Sequence, residues 1–368
     1  MKFETQKKRI LSIDALRGFD MIWIIGFGAF LRQAGMASGS DFGGMISEQM
    51  EHVRWDGLNW HDLIFPIFIF LAGASWPFSL DGQRAKGVPE GRIFLRIVKR
   101  FVLLFSLGLL TSGIMRFDFV HLRYMSVLGR IACAWFVAAL TLFFCGPRKT
   151  IVVAAIAFCS YWLALTFLPG IIQPGCDQWA MMTNLVVLFE KWAMPYHFNN
   201  WGGEGVLSAF GGASGCAYIG VFAGLMLKRT DWAEAKKSQM LAVFSIALAV
   251  AASIASLVCP CVKNMWSPTF VLMAGAIGTA LLSLFHWLID VKGWTRWSFF
   301  FRVVGMNAIT IYVLRCFVDL KYTSRGLFRG FINMAPDHWT DPAITAGTFV
   351  IAWCLLYFLY RKKIFLKV

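Results

Sequence analysis

The sequence predicts an all-α fold, a polytopic membrane protein with about ten transmembrane helices forming a single transmembrane domain over residues 1–368, with both termini cytoplasmic. Three observations carry this expectation. The chain is 58% hydrophobic and only 15% charged, with a mean hydropathy of +0.63, far too apolar for a soluble globular protein. Apolar windows of about 20 residues, the length a helix needs to cross roughly 30 Å of hydrocarbon, recur along its whole length. The basic residues fall in alternate loops, which by the positive-inside rule lie on the cytoplasmic side.

The windows run near 18–35, 62–80, 97–115, 125–145, 150–172, 205–227, 238–258, 268–289, 299–318 and 343–360. Lys7, Lys8 and Arg9 precede the first; no small-residue cleavage site follows them, and the window holds Arg17 nearby and Asp20. It is therefore expected to stay in the mature protein rather than to act as a cleaved signal. Arg84, Lys86, Arg92, Arg96, Lys99 and Arg100 lie between the second and third windows, Arg148 and Lys149 after the fourth, and Lys228, Arg229, Lys236 and Lys237 after the sixth. Lys292 and Arg296 follow the eighth, and Arg361, Lys362 and Lys363 the last. A net charge of +15 spread in this way marks topology and a lipid-bilayer partner, not nucleic acid.

The long segments 36–60, 173–204 and 319–342 all fall on the opposite, outward side. Gly39, Gly43 and Gly44 mark the first as irregular, and Trp179 to Trp192 reads as an interfacial helix ahead of the 195–203 loop. Gly211, Gly212, Gly215, Gly220 and Gly224 suit close helix packing better than a phosphate loop. No internal repeat is evident, which argues against a transporter built from inverted halves. Of nine cysteines, Cys176, Cys259 and Cys261 lie in outward loops. An oxidising compartment permits a disulfide from Cys176 to either of the other two.

The segment His52 to Pro66 carries an imidazole and two carboxylates, Asp56 and Asp62, to the water-facing mouth of a membrane helix. Ionisable groups at the edge of hydrocarbon are expensive and mark candidate sites. His52 suits a general base, because imidazole titrates near neutrality and can take a proton from an amine or hydroxyl attacking an acyl carbonyl. Asp62 or Asp56 suits the orienting carboxylate. From position alone, His52 reads more readily as a plain loop histidine. Polar residues at or within spans, namely Asp14, Arg17, Arg130, Glu204, Ser208, Asn307 and Tyr312, either satisfy one another or line a path. No metal-ligand spacing, nucleotide-binding loop or nucleophile elbow occurs, and no metal is expected. The cytoplasmic cluster Arg92, Arg96, Lys99, Arg100, Lys228 and Arg229 could attract a nucleotide phosphate, or serve topology alone.

Five segments in order then carry a resemblance: Ser12-Ile-Asp-Ala-Leu-Arg-Gly18; His52-Val-Arg-Trp-Asp-Gly-Leu58 with Asp62-Leu-Ile-Phe-Pro66; Ser126-Val-Leu-Gly-Arg-Ile131; Glu204-Gly-Val-Leu-Ser208; and Lys263-Asn-Met-Trp-Ser267 with Gly305-Met-Asn307. The chain resembles the transmembrane N-acetyltransferases typified by the heparan-alpha-glucosaminide enzyme and its bacterial amino-sugar relatives. The resemblance implies transfer of an acetyl group from cytoplasmic acetyl-CoA to the amino group of glucosamine or a terminal glucosamine residue on the far side. It implies His52 and Asp62 as catalytic residues, and Arg17, Arg130, Lys263, Asn264, Trp266 and Ser267 as the acetyl-CoA set. Trp55, Asp56, Glu204 and Asn307 are the acceptor-binding set. The family's asparagine late in span one has no counterpart in 21–31, where Gly28 stands near that position. A bacterial inner membrane with the site mouth toward the periplasm is the expected setting, and a homodimer is left open. So are direct transfer and an acetyl-histidine intermediate. An O-acetyltransferase of envelope polysaccharide and an amino-sugar transporter are the alternative readings.

Overall fold

A computed structural model of the chain describes residues 10–195, 197 and 203–366. The basic triplet Lys7 to Arg9 and most of the 195–203 loop lie outside the described residues. Among those residues the protein is all-α with no β-strand.

Helix α1 (Leu11–Ile22) passes through a π-helical turn, Trp23–Phe27, into α2 (Gly28–Ala37). The break falls at Gly26, whose φ of 138° only glycine adopts without strain. The next segment is not irregular as expected. Ser40 accepts the Gly43 N–H at 3.1 Å and caps α3 (Asp41–Gln49), and a Cβ on Gly35 or Gly43 would strike the facing backbone of the α2–α3 pair. Gly43 thus serves helix contact, while Gly39, at φ 60°, makes the turn between the two helices.

Helices α4 (Trp60–Arg84) and α5 (Glu90–Thr111) lead to α6 (Val127–Ile172). At 1.5 Å per residue α6 would be about 69 Å long if straight, more than twice the hydrocarbon thickness. It breaks at Gly146 (φ 68°), just before Pro147. Arg130 near its start lines the same cavity as Lys263 and Asn264, and Tyr161 beyond the break donates to Met265 O at 2.6 Å. Both ends thus reach one face, so the chain reverses at Gly146. Beyond α7 (Leu185–Ala193), α8 (Val206–Phe210) runs into α9 (Gly212–Lys228), and then come α10 (Glu234–Ala255) and α11 (Pro268–His286). Helices α12 (Ser298–Gly305) and α13 (Ala308–Phe317) meet at a 62° bend. The short α14 (Leu320–Leu327) and α15 (Arg329–Met334) precede the last helix, α16 (Thr340–Arg361).

Six described helical stretches are long and apolar enough to cross a membrane, and the α12–α13 pair makes a seventh if it is one crossing. Their contacts follow the small-residue rule of membrane helices, where backbones approach when no side chain intervenes. A Cβ on Gly220 would collide with Phe70 O, one on Gly224 with Ala74 O and one on Gly73 with Ala217 O, so α4 and α9 lie backbone to backbone. Gly18 and Gly305 bring α1 and α12 together in the same way. Phe70, Trp135, Trp266 and Phe270 fill the core around them.

The cysteine expectation is corrected. All nine cysteines are free thiols. The Cys176 sulfur lies 4.0 Å from Thr183 O, while Cys259 is buried with its thiol on Pro260 O, so these sulfurs are spent on backbone carbonyls instead of on each other.

Candidate functional site

The site is built at the N-terminus of α4. Asn59 caps the helix in a capping box with Asp62, whose Oδ2 accepts the Asn59 N–H at 3.3 Å. That carboxylate also takes the Val53 N–H at 3.2 Å, the His52 ring at 2.7 Å through Nδ1, and the Lys263 ammonium at 3.0 Å. Four donors and the positive end of the helix dipole converge on a side chain only 1% exposed. An ionised carboxylate only accepts, so Nδ1 carries the ring hydrogen and Nε2 is left as the acceptor. The His52 side chain is 56% exposed. The ring is therefore half open to solvent while its Nδ1 edge is fixed.

Lys263 arrives from a second loop held by backbone hydrogen bonds. Asp56 Oδ1 accepts the Cys261 N–H at 2.8 Å, and Gly57 donates to Cys261 O at 3.0 Å beside an Asp56–Val262 bridge. Ser267 caps α11, accepts from Val262 N at 3.0 Å and donates to Pro260 O at 2.7 Å. Trp266, at φ 52°, closes the turn with its N–H on Lys263 O at 2.9 Å. The result puts Lys263 Nζ 2.9 Å from His52 Nδ1 and 3.4 Å from Nε2.

In front of this group opens a cavity of about 720 Å³, lined by His52, Arg54, His61, Arg123, Arg130, Glu204, Lys263, Asn264 and Tyr312 with an apolar wall of Ile24, Phe65 and Val127. Across it, Glu204 lies between two guanidiniums, 3.0 Å from Arg130 Nη1 and 2.8 Å from Arg123 Nη2. Burial alone would raise the Glu204 pKa, but Arg130 and Arg123 overcome it and hold it at about 2. Arg130 also stacks on the Phe65 ring at 4.8 Å. Glu204 sits at φ 70° with its N–H on Asn264 O at 2.8 Å, a strained backbone of the kind found at ligand sites. Below, Ile24, Phe65, Val127 and Tyr312 also line a void of about 30 Å³, closed by Met21, Phe68, Leu128, Ile131, Ala308 and Ile309.

The structure thus brings His52, Asp62, Arg130, Glu204, Lys263 and Asn264 together. Others among the expected residues stand outside the cavity lining. Arg17 reaches Asp14 at 3.4 Å and Ser75 Oγ at 3.2 Å. Trp55 donates to Trp179 O at 2.8 Å, Trp266 is fully buried against Phe65 and Phe270, and Asp56 and Ser267 latch the loops just described. Asn307 stands at the α12–α13 bend with its amide on Ile364 O at 3.1 Å. Asp56, the second candidate to orient His52, is engaged by Cys261 instead. Sequence reasoning missed Arg54, Arg123 and His61. His61 packs against His52 with ring centroids 4.5 Å apart and planes tilted by 50°; its adjacency to Asp62 on the helix mouth was the available signal. Arg123 carried none beyond being a charge in an aromatic loop.

Fold and site together define an all-helical membrane protein with an imidazole, a buried carboxylate and an ammonium grouped at the mouth of a cavity. A family model described as "Domain of unknown function (DUF5009)" matches residues 9–121, which include His52 and Asp62. Over 98% of its length the chain is 25% identical to the heparan-alpha-glucosaminide N-acetyltransferase of Homo sapiens and 24% identical to that of Mus musculus. It spans 60% of the length of these curated relatives. The resemblance read from five motifs therefore extends over nearly the whole chain.

Proposed function

We propose that the protein is a transmembrane acetyltransferase that moves the acetyl group of cytoplasmic acetyl-CoA onto the amino group of glucosamine, free or as a terminal residue, on the far side. The observation that carries this reading is the His52–Asp62 pair at the cavity wall, with Nε2 as the acceptor nitrogen and Lys263 Nζ 3.4 Å from it. The similarity to N-acetyltransferases supports it. In this reading the chain is one domain with about ten crossings and both termini inside, in a bacterial inner membrane, and the cavity opens to the periplasm.

His52 Nε2 removes a proton from the sugar amine as its nitrogen bonds the acetyl carbon. Asp62 holds the ring and balances the charge it gains. Lys263, within 3.4 Å of Nε2, donates to the oxygen that turns anionic as the carbonyl becomes tetrahedral. The carbon–sulfur bond then breaks, and the leaving thiolate takes the proton from His52. Arg130, Asn264 and Lys263 are the polar groups of the expected acetyl-CoA set that line the cavity, and its 720 Å³ lies within the range of small-molecule sites. Glu204 offers the acceptor side an anionic edge, tempered by its two arginines.

The test is acetylation of an amino-sugar panel by purified protein with acetyl-CoA, read by mass spectrometry. Glucosamine should gain one acetyl group, and His52→Ala should lose about 10²- to 10⁴-fold of turnover while still binding acetyl-CoA. Near-normal turnover in that variant removes His52 from the reaction. Uptake of unmodified sugar into vesicles, without acetylation, would point to transport instead.

A further inference from the structure

A second cavity, of about 360 Å³, lies on the other side of the α1–α2 break, lined among others by Gly26, Arg315, Asp319, Lys321, Thr345 and Thr348. It opens on the face that carries His52. Thr345 at the start of α16 donates to Gln33 Oε1 at 2.8 Å, and the neighbouring Arg32 pairs at 2.9 Å with Glu51, one residue before His52. The α12–α13 pair delivers Arg315 to this cavity, and the first turn of α14 delivers Lys321. Neither cationic side chain has an ion-pair or hydrogen-bond partner among the described residues. The one carboxylate present, Asp319, is turned to the backbone, where it caps α14 by accepting the N–H groups of Lys321 and Tyr322 at 2.9 and 3.2 Å. Two cations and one committed carboxylate leave the cavity net positive, while the Thr345 and Thr348 hydroxyls donate to Gln33 Oε1 and Ile344 O, so the free donors are Arg315 and Lys321. That is a recognition surface for an anion.

What surrounds the mouth narrows the kind of anion. Helices α14 and α15 pack one edge on α16, with Ser324 Oγ on Ile344 O at 2.8 Å, and leave Tyr322, Leu327, Phe331 and Met334 largely exposed. Lys321, Arg325 and Arg329 alternate with these apolar residues. Exposed aromatic and aliphatic side chains mixed with basic ones describe a segment lying in the interface plane of a bilayer, at headgroup depth. The geometry points to a binding site for the headgroup phosphate of a net-anionic phospholipid in the leaflet on the His52 side. Arg315 and Lys321 hold the phosphate oxygens, and α14–α15 rest on the acyl boundary beside it. This site is independent of the acetyl-transfer reading and shares none of its residues.

Native mass spectrometry of the full chain, released from neutral detergent with added phosphatidylglycerol or phosphatidylcholine, tests the assignment. One basic side chain near an anionic headgroup is worth about a factor of five in affinity, so Arg315→Gln with Lys321→Gln should weaken phosphatidylglycerol binding on the order of thirty-fold. Each single change should account for part of that loss, which keeps the test usable if the double variant fails to fold. The swap Arg315→Lys with Lys321→Arg should retain binding, and Lys362→Gln, at the opposite end of α16, should leave it unchanged. Unaltered phosphatidylglycerol retention in the folded double variant, or in both folded singles, overturns the site. Equal binding of phosphatidylcholine overturns the requirement for net negative charge. Displacement of the lipid by millimolar inorganic phosphate overturns the lipid in favour of a soluble anion.

Discussion

At residue scale, Asp62 is the side chain on which the proposed chemistry turns, since it receives four donors within 3.3 Å. Asp62→Asn keeps the shape but presents an amide where only an acceptor fits, so the His52 ring loses its fixed tautomer. Turnover should fall by about 10³-fold or more with acetyl-CoA binding retained, and a steady-state assay beside a binding isotherm checks both. Glu204 makes a separate prediction. Its pKa lies near 2 in the folded chain against an ordinary 4.5, a depressed carboxylate, so the stability it contributes is complete above about pH 4.5 and lost as pH falls toward 2. Thermal unfolding between those values should show a slope that Glu204→Gln makes shallower. His52 and Asp62 were legible in the sequence because a charged cluster abuts an apolar run. Lys263 was legible only as a motif residue, because the 201 positions between it and Asp62 hide a contact created by two pinned loops. Trp55, Trp266 and Ser267 were singled out for chemistry although they hold the backbone, since a polar or aromatic residue beside a site reads alike in either role.

Among the elements, the α4–α9 contact is the one most sensitive to a single methyl group. Gly220→Ala would drive a Cβ into Phe70 O, and backbone carbonyls cannot swing aside as side chains do. The two helices must part, at about 1 to 3 kcal/mol for an overpacked site, and a lowered midpoint in detergent-stable thermal unfolding measures it. The same physics made these glycines readable in advance as packing residues. It also explains part of the misreading of 36–60, where Gly43, which looked like loop punctuation, faces Gly35 across the α2–α3 contact, while Gly39 at φ 60° does mark the turn between them. Element boundaries were least legible where backbone alone decides them. The reversal at Gly146 inside α6 and the 62° bend before α13 rest on local dihedrals and on partners distant in sequence, neither of which hydropathy senses.

For the whole molecule, orientation is the property that the proposed chemistry most needs. Cysteines introduced at Glu48 and Lys86 in a cysteine-free background should label from opposite sides of the membrane, with Glu48 reached from outside. Labelling of both by an impermeant reagent would reject the topology. The apolar class of the fold was plain from composition, while the depth and shape of the cavity depend on ten or more segments converging and could not be read from any one of them. The apolar void that shares a wall with that cavity has a consequence for ions. A void of about 30 Å³ walled by Ile24, Phe65, Val127 and Tyr312 has space for about one water molecule and offers it almost no polar company. A file of water does not fit within that void, and its apolar walls offer a proton or a sodium ion no relay there.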